Sequence, residues 1–209
     1  MKKLFLVIMA LSLLLVTGCG KESLSSQEQG SGYTVVDARG KKITFASAPK
    51  RIVCLNYSAT DILTDLIPTE RIIATDMWAR EEDLSNCYEK LKGIPVCENN
   101  PEQIMKFNPD LVILTEGRAN ELADTLDSVG VKTCVLRQPK TIQEIPDYIK
   151  IVGEVADTKA AADSLAEKVA AYIKASAGGQ KIESVLLIHP NGGIGQKGSM
   201  PASICEACN

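Results

Sequence analysis

Apolar residues in this chain fall into short unbroken runs, separated by polar loops and by stretches with apolar positions three or four apart. Arg51-Ile-Val-Cys-Leu55, Arg71-Ile-Ile-Ala74, Leu111-Val-Ile-Leu114 and Lys132 to Leu136 lack apolar–polar alternation, as strands buried on both faces do. Between them, Ile62, Leu63, Leu66 and Ile67 recur at helical spacing, as do Leu122, Leu126 and Val129, then Ile142, Ile145, Ile149 and Val152. Strands alternating with helices make βαβ units, so the predicted fold class is α/β with a parallel sheet covered on both faces.

Punctuation refines the elements. Tyr33 to Val36 and Lys42 to Phe45 flank Asp37-Ala38-Arg39-Gly40, a hairpin with glycine where positive φ is wanted. Ser58-Ala-Thr-Asp61 and Thr141-Ile-Gln-Glu144 match the capping-box pattern, and Pro68 stops the first helix. Asn100 caps a helix with Pro101 in its first position and Glu102 in its first turn. Asn108-Pro109-Asp110 breaks that helix, and Gly130 closes the next.

After Gly153 the texture changes. Asp157 to Ala175 is Ala- and Lys-rich, with a thin stripe of Leu165, Val169, Tyr172 and Ile173 and charge pairs such as Lys159 with Asp163. It predicts a long helix lying along the outside of two lobes. Lys181 to His189 then starts a fresh apolar strand, and the chain stops at Asn209. The last thirty or so residues therefore read as the start of a second, incomplete lobe.

The amino terminus is of another kind. Lys2 and Lys3 precede the apolar run Leu4 to Val16. That run is shorter than the roughly 20 residues a membrane span needs, and it reads as an export signal. Leu15-Val16-Thr17-Gly18-Cys19 resembles the bacterial lipobox, which implies lipidation of Cys19 and an extracytoplasmic protein held at a membrane. Residues 20–32 (GKESLSSQEQGSG) form a polar leash.

A net charge of −3 provides no basic footprint for nucleic acid. Besides Cys19 there are Cys54, Cys87, Cys97, Cys134, Cys205 and Cys208. Cys54 and Cys134 sit in buried strands as small hydrophobes; Cys87 and Cys97 flank a loop and are the more plausible disulfide, though spacing does not decide it. The single histidine, His189, cannot hold a bare metal ion alone.

In an open parallel sheet, ligands sit beyond the carboxyl ends of the strands. Those tips are Asn56-Tyr57-Ser58, Met77-Trp78, Thr115-Glu116-Gly117-Arg118 and Arg137-Gln138. The candidate ligand residues are Asn56, Tyr57, Ser58, Trp78, Thr115, Glu116, Arg118 and Arg137. Trp78 is either rim packing or a ligand platform, and the two arginines are either solvated charges or partners for an anionic group. No nucleophile with a base and no cluster of metal ligands is evident, so neither a catalytic nor a metal site is assigned and no cofactor is expected. Gly193-Ile-Gly-Gln-Lys-Gly198 fits G-x-G-x-x-G, but the acidic residue that a dinucleotide site needs about 20 residues on is beyond the end. Cys205-Glu-Ala-Cys208 is a lone C-x-x-C. An exported redox or nucleotide-binding protein using either motif is the alternative reading.

Several motifs occur in an order that is more specific than any one of them: Asp37-Ala-Arg-Gly-Lys, Pro49-Lys-Arg-Ile-Val53, Asn100-Pro-Glu-Gln-Ile104, Asn108-Pro-Asp-Leu-Val-Ile113, Leu126-Asp-Ser-Val-Gly130 and Ile151-Val-Gly153. The set resembles the iron-siderophore, haem and cobalamin class of substrate-binding proteins of ABC importers. The resemblance implies two α/β lobes joined by one long helix, a metal chelate clasped between them without bond chemistry, and an ABC permease with its ATPase as partners. It also implies that Trp78 and Thr115-Glu116 touch ligand and that Glu102 docks on the permease. The expected organisation is a leader (1–18), lipidated Cys19 and linker (19–32), an amino-terminal ligand-binding lobe (33–153), a bridging helix (154–178) and the start of a truncated second lobe (179–209).

Overall fold

A computed structural model of the chain describes residues 32–117, 119–177 and 197–208. Strands β1 (Tyr33–Val36) and β2 (Lys42–Phe45) pair antiparallel, Tyr33 opposite Phe45 and Val36 opposite Lys42. The main sheet comprises β3 (Ile52–Leu55), β4 (Ile72–Thr75), β5 (Leu111–Thr115) and β6 (Thr133–Leu136) in the order β4-β3-β5-β6, with every pairing parallel. The helices are α1 (Tyr57–Leu66), α2 (Pro101–Lys106), α3 (Ala119–Ser128), α4 (Ile145–Ala156), α5 (Lys159–Ser176) and α6 (Met200–Cys208).

The unbroken apolar runs are explained by two cores. Ile52, Cys54, Leu111, Ile113, Cys134 and Leu136 point to one face of the sheet, beneath Ala59 and Leu63 of α1 and Tyr148, Val152 and Val155 of α4. Val53, Leu55, Val112, Leu114 and Val135 point to the other, against Ile104 of α2 and Ala123 and Leu126 of α3. Neighbouring side chains of a strand face opposite ways, so each strand position here meets a core.

Several caps follow the sequence. The Asn100 side chain accepts from the Gln103 amide, and Pro101 opens α2. Asn108 takes a left-handed φ of 46° where that helix breaks. Two capping boxes are corrected: Asn56, not Ser58, caps α1, and Thr141 makes no side-chain cap, Glu144 instead accepting from the Lys140 amide. Val129 lies past the end of α3 and is exposed, because α3 closes at Ser128.

The long helix expected over Asp157 to Ala175 forms as α5, but the boundary before it lies later than the expected 153/154. Helix α4 continues to Ala156 and ends on Asp157 in the left-handed region, φ 60°. Helix α5 packs back on α4, burying Ala162 and Ala166 against Ile149. Gly153 permits the crossing: a Cβ there would lie 2.1 Å from that of Ala162. Tyr172 is exposed, and Lys159 pairs with Glu154 at 3.9 Å in place of Asp163. The terminal helix α6, which the sequence pattern did not signal, receives the Ile142 amide on the Ser203 hydroxyl.

The hairpin is clasped to the edge of the sheet. Ala38 donates to the Val135 carbonyl at 2.8 Å, and the Tyr33 hydroxyl to the Val155 carbonyl at 3.0 Å. The Arg39 guanidinium bonds to Asp37, Asp124, Asp127 and the Thr133 hydroxyl, and the Asp37 side chain is fully buried.

Cys54, Cys87, Cys97, Cys134 and Cys205 are free thiols. Cys87 packs with the first core and Cys97 with the second, and the Cys87–Cys97 pairing that the sequence left open is not formed. The leader, Cys19, Arg118, the Gly193–Gln196 part of the glycine motif and His189 lie outside the described residues. No described helix is long and apolar enough to cross a membrane.

Candidate functional site

Strand order fixes where a cavity can form. From β3 the chain proceeds to β4 on one side, then returns to lay β5 on the other side of β3. Loops leaving β3 and β5 therefore diverge, opening a crevice beyond the carboxyl ends of those strands. A cavity of about 790 Å³ occupies that place, within the range of small-molecule sites.

Its walls come from five segments. Leu55, Tyr57 and Ser58 follow β3; Asp76, Met77 and Trp78 follow β4; Thr115, Glu116 and Ala119 follow β5; Gln138 follows β6. Val96, Cys97, Glu98 and Asn99 form the fifth, drawn in because Val96 makes a parallel bridge to Thr75, Cys97 donating to the Thr75 carbonyl at 2.8 Å. Trp78, Met77 and Val96 are 55%, 51% and 42% exposed and stand together at the mouth. Three large apolar side chains left half-exposed on one concave patch make it the candidate binding surface.

The tips are held firmly. Asp76 accepts from the Ala79 amide at 3.0 Å and so fixes the single turn carrying Trp78. Burial pushes the Asp76 carboxyl above the ordinary range against the pull of the Ala79 and Trp78 amides. The Tyr57 hydroxyl donates to the Leu84 carbonyl at 2.7 Å. Burial raises the Cys97 thiol to about 11, with the Glu98 charge adding to the shift, so it is a neutral apolar wall at physiological pH.

Asn56 is corrected from its expected place. It is 1% exposed and lies beneath the cavity. Its Oδ1 accepts from the Ala59 amide at 3.0 Å, the Gln138 amide at 2.8 Å and the Tyr148 hydroxyl at 3.1 Å. It thus joins the start of α1, the tip of β6 and helix α4, and sets the position of Gln138 above it. Burial holds the Tyr148 hydroxyl protonated, and so a donor, far above neutral pH.

Arg137 also stays out of the cavity. Its Nε and Nη2 meet the two Glu116 carboxylate oxygens at 2.9 and 3.1 Å, and the side chain lies over neighbouring hollows lined by Val36, Ile151 and Glu144. The guanidinium's hydrogen bond and charge hold the Glu116 carboxyl below its usual range.

Of the residues singled out from sequence, the cavity brings together Tyr57, Ser58, Trp78, Thr115 and Glu116. Glu102 stands exposed on the first turn of α2. Met77 and Gln138, named among the strand tips, were not carried into the candidate set, and Asp76, one residue before such a tip, was missed. Val96 to Asn99 carry no comparable signal, being joined to the sheet by a single bridge. Among the described residues, no group of three or more His, Cys, Asp and Glu side chains is placed to hold a metal ion.

Residues 52–195 match the periplasmic binding protein family. The chain belongs to that family. Among curated members, YvrC of Bacillus subtilis, an uncharacterized ABC transporter substrate-binding lipoprotein, is 24% identical over 176 residues, covering 78% of this chain and 54% of YvrC. A cobalamin-binding protein of Halobacterium salinarum is 24% identical over 129 residues, 62% of this chain and 35% of that protein. In fold, the chain resembles the heme binding protein HmuT with a TM-score of 0.59 at 21% identity, over 69% of this chain and 47% of HmuT. This periplasmic binding protein therefore spans about half or less of the length of these relatives.

Proposed function

We propose that this protein is an extracytoplasmic substrate-binding lipoprotein of an ABC importer, capturing a metal chelate (ferric siderophore, cobalamin or haem) and handing it to the permease. The observation that carries the reading is the apolar-mouthed cavity at the switch point, with Trp78 standing at its rim. A broad, rigid chelate suits such a site: apolar contact with Trp78, Met77 and Val96 supplies affinity, while Tyr57, Ser58, Thr115 and Gln138 supply hydrogen bonds to its edge. The role is to bind and release, with no bond made or broken. Family membership supports it, as do the substrate-binding description of YvrC and the cobalamin-binding description of the Halobacterium protein.

On this reading Cys19 bears the lipid, and the leash of residues 20–32 keeps the lobe at high effective concentration beside its permease. Glu102 offers an exposed carboxylate for an arginine of that permease while also complementing the α2 dipole.

Titration with cobinamide, haemin and a ferric hydroxamate siderophore, followed by ligand absorbance and by the fluorescence of the single tryptophan, tests the reading. One-to-one saturation by at least one chelate is expected, with Trp78→Ala weakening it roughly tenfold, about the 1.4 kcal/mol that an aromatic contact supplies. Failure of all three to bind would refute the proposal.

A further inference from the structure

Among the described residues that line the cavity, the charged side chains are all acidic. Asp76, Glu98 and Glu116 present carboxylates, and no Lys or Arg among the described residues lines it. Among the described residues, Arg137 is a cation bound to one of these carboxylates, and it is engaged. Its fork grips both Glu116 oxygens, while Glu144 adds its charge from the far side, where the two residues share a hollow. The apolar walls Leu55, Met77, Trp78 and Val96 carry no compensating charge.

We propose that the Glu116–Arg137 pair is a charge filter that determines specificity: with the guanidinium occupied, the cavity accepts chelates edged with amides or other uncharged donors and rejects those edged with carboxylates. The inference rests on reading the cavity as the chelate site and goes further by naming which edge chemistry it takes. An amide N–H₂ meets an acceptor on Glu98, Glu116 or Gln138. A ligand carboxylate meets like charges instead, and it gains Arg137 only by displacing Glu116 from a bidentate pair.

Cobinamide and cobyrinic acid share a corrin ring and differ chiefly in carrying amides or carboxylates at its edge, so the change in their affinity ratio between wild type and variant reports the filter. The wild-type protein is expected to prefer cobinamide. Glu116→Gln removes one like charge and frees Arg137; with each exposed charge contact worth about two- to fivefold, the ratio moves toward cobyrinic acid by roughly tenfold. Arg137→Gln leaves cobyrinic acid binding no weaker than twofold, whereas a guanidinium already gripping ligand would lose far more. Both positions are well exposed, and circular dichroism confirms that the variants keep the fold. Preference for cobyrinic acid in the wild type, or an unchanged ratio in Glu116→Gln, overturns the filter while leaving the chelate site standing. Binding of neither corrin, with haemin or siderophore still bound, also overturns the filter. If no chelate binds, the functional reading and the filter fall together.

Discussion

Asn56→Ala tests the account of how the cavity floor is built. Asn56 Oδ1 collects three donors, from Ala59, Gln138 and Tyr148. Losing the N-cap of α1 costs about 1 kcal/mol. Leaving the Tyr148 hydroxyl without a partner, in a side chain only 4% exposed, costs a further 1–3 kcal/mol or so. The expected total is about 2–4 kcal/mol, which lowers the melting temperature of a chain this size by roughly 5–15 °C. Urea unfolding followed by circular dichroism gives the free energy, and a cycle with Tyr148→Phe isolates the mechanism. Without the hydroxyl there is no donor to strand, so Asn56→Ala in that background should cost about 1–2 kcal/mol less. Equal costs in both backgrounds, within the 0.3–0.5 kcal/mol or so of ordinary additivity, would refute the claim that Asn56 links α1 to α4.

Other perturbations have definite expected outcomes. Gly153→Ala places a methyl 2.1 Å from Ala162 Cβ and should cost about 1–3 kcal/mol; adding Ala162→Gly should restore most of the melting temperature. Arg39→Ala leaves the buried Asp37 carboxylate with backbone donors alone and should cost about 3 kcal/mol in urea unfolding. Burial opposes ionisation of Asp127, but hydrogen bonds from Lys41 and Thr133 and the charges of Lys41 and Arg39 outweigh it, leaving its carboxyl below the ordinary range. Its contribution is therefore full above the unfolded carboxylate value near pH 4 and is lost as pH falls through the lower folded value. Asp127→Asn should flatten the acid limb of the stability curve in that window.

The sequence was most legible where a physical constraint is local. Strands buried on both faces must be apolar at every position, so Ile52 to Leu55 and Leu111 to Leu114 stood out. Asn100-Pro101 and Gly130 marked helix ends through backbone chemistry that acts within a few residues. Asn56 could not be read this way. Its partners at Gln138 and Tyr148 are 82 and 92 positions distant, so an amide at a strand tip looked like a ligand group when it was the floor beneath one. The same holds for Arg137, whose pairing with Glu116 depends on β5 and β6 being neighbours. The boundary between α4 and α5 was misplaced for a different reason: the change of texture after Gly153 looked like the end of the lobe, whereas Gly153 lies inside α4 where α5 packs closely against it.

The central claim, a chelate seated at the strand tips, is tested most directly by residue-resolved amide NMR during titration with cobinamide. The account predicts saturable shifts confined to Leu55–Ser58, Asp76–Trp78, Val96–Asn99, Thr115–Glu116 and Gln138. Shifts centred instead on the β1–β2 hairpin, or on the opposite ends of the strands near Arg51 and Asp110, would contradict it.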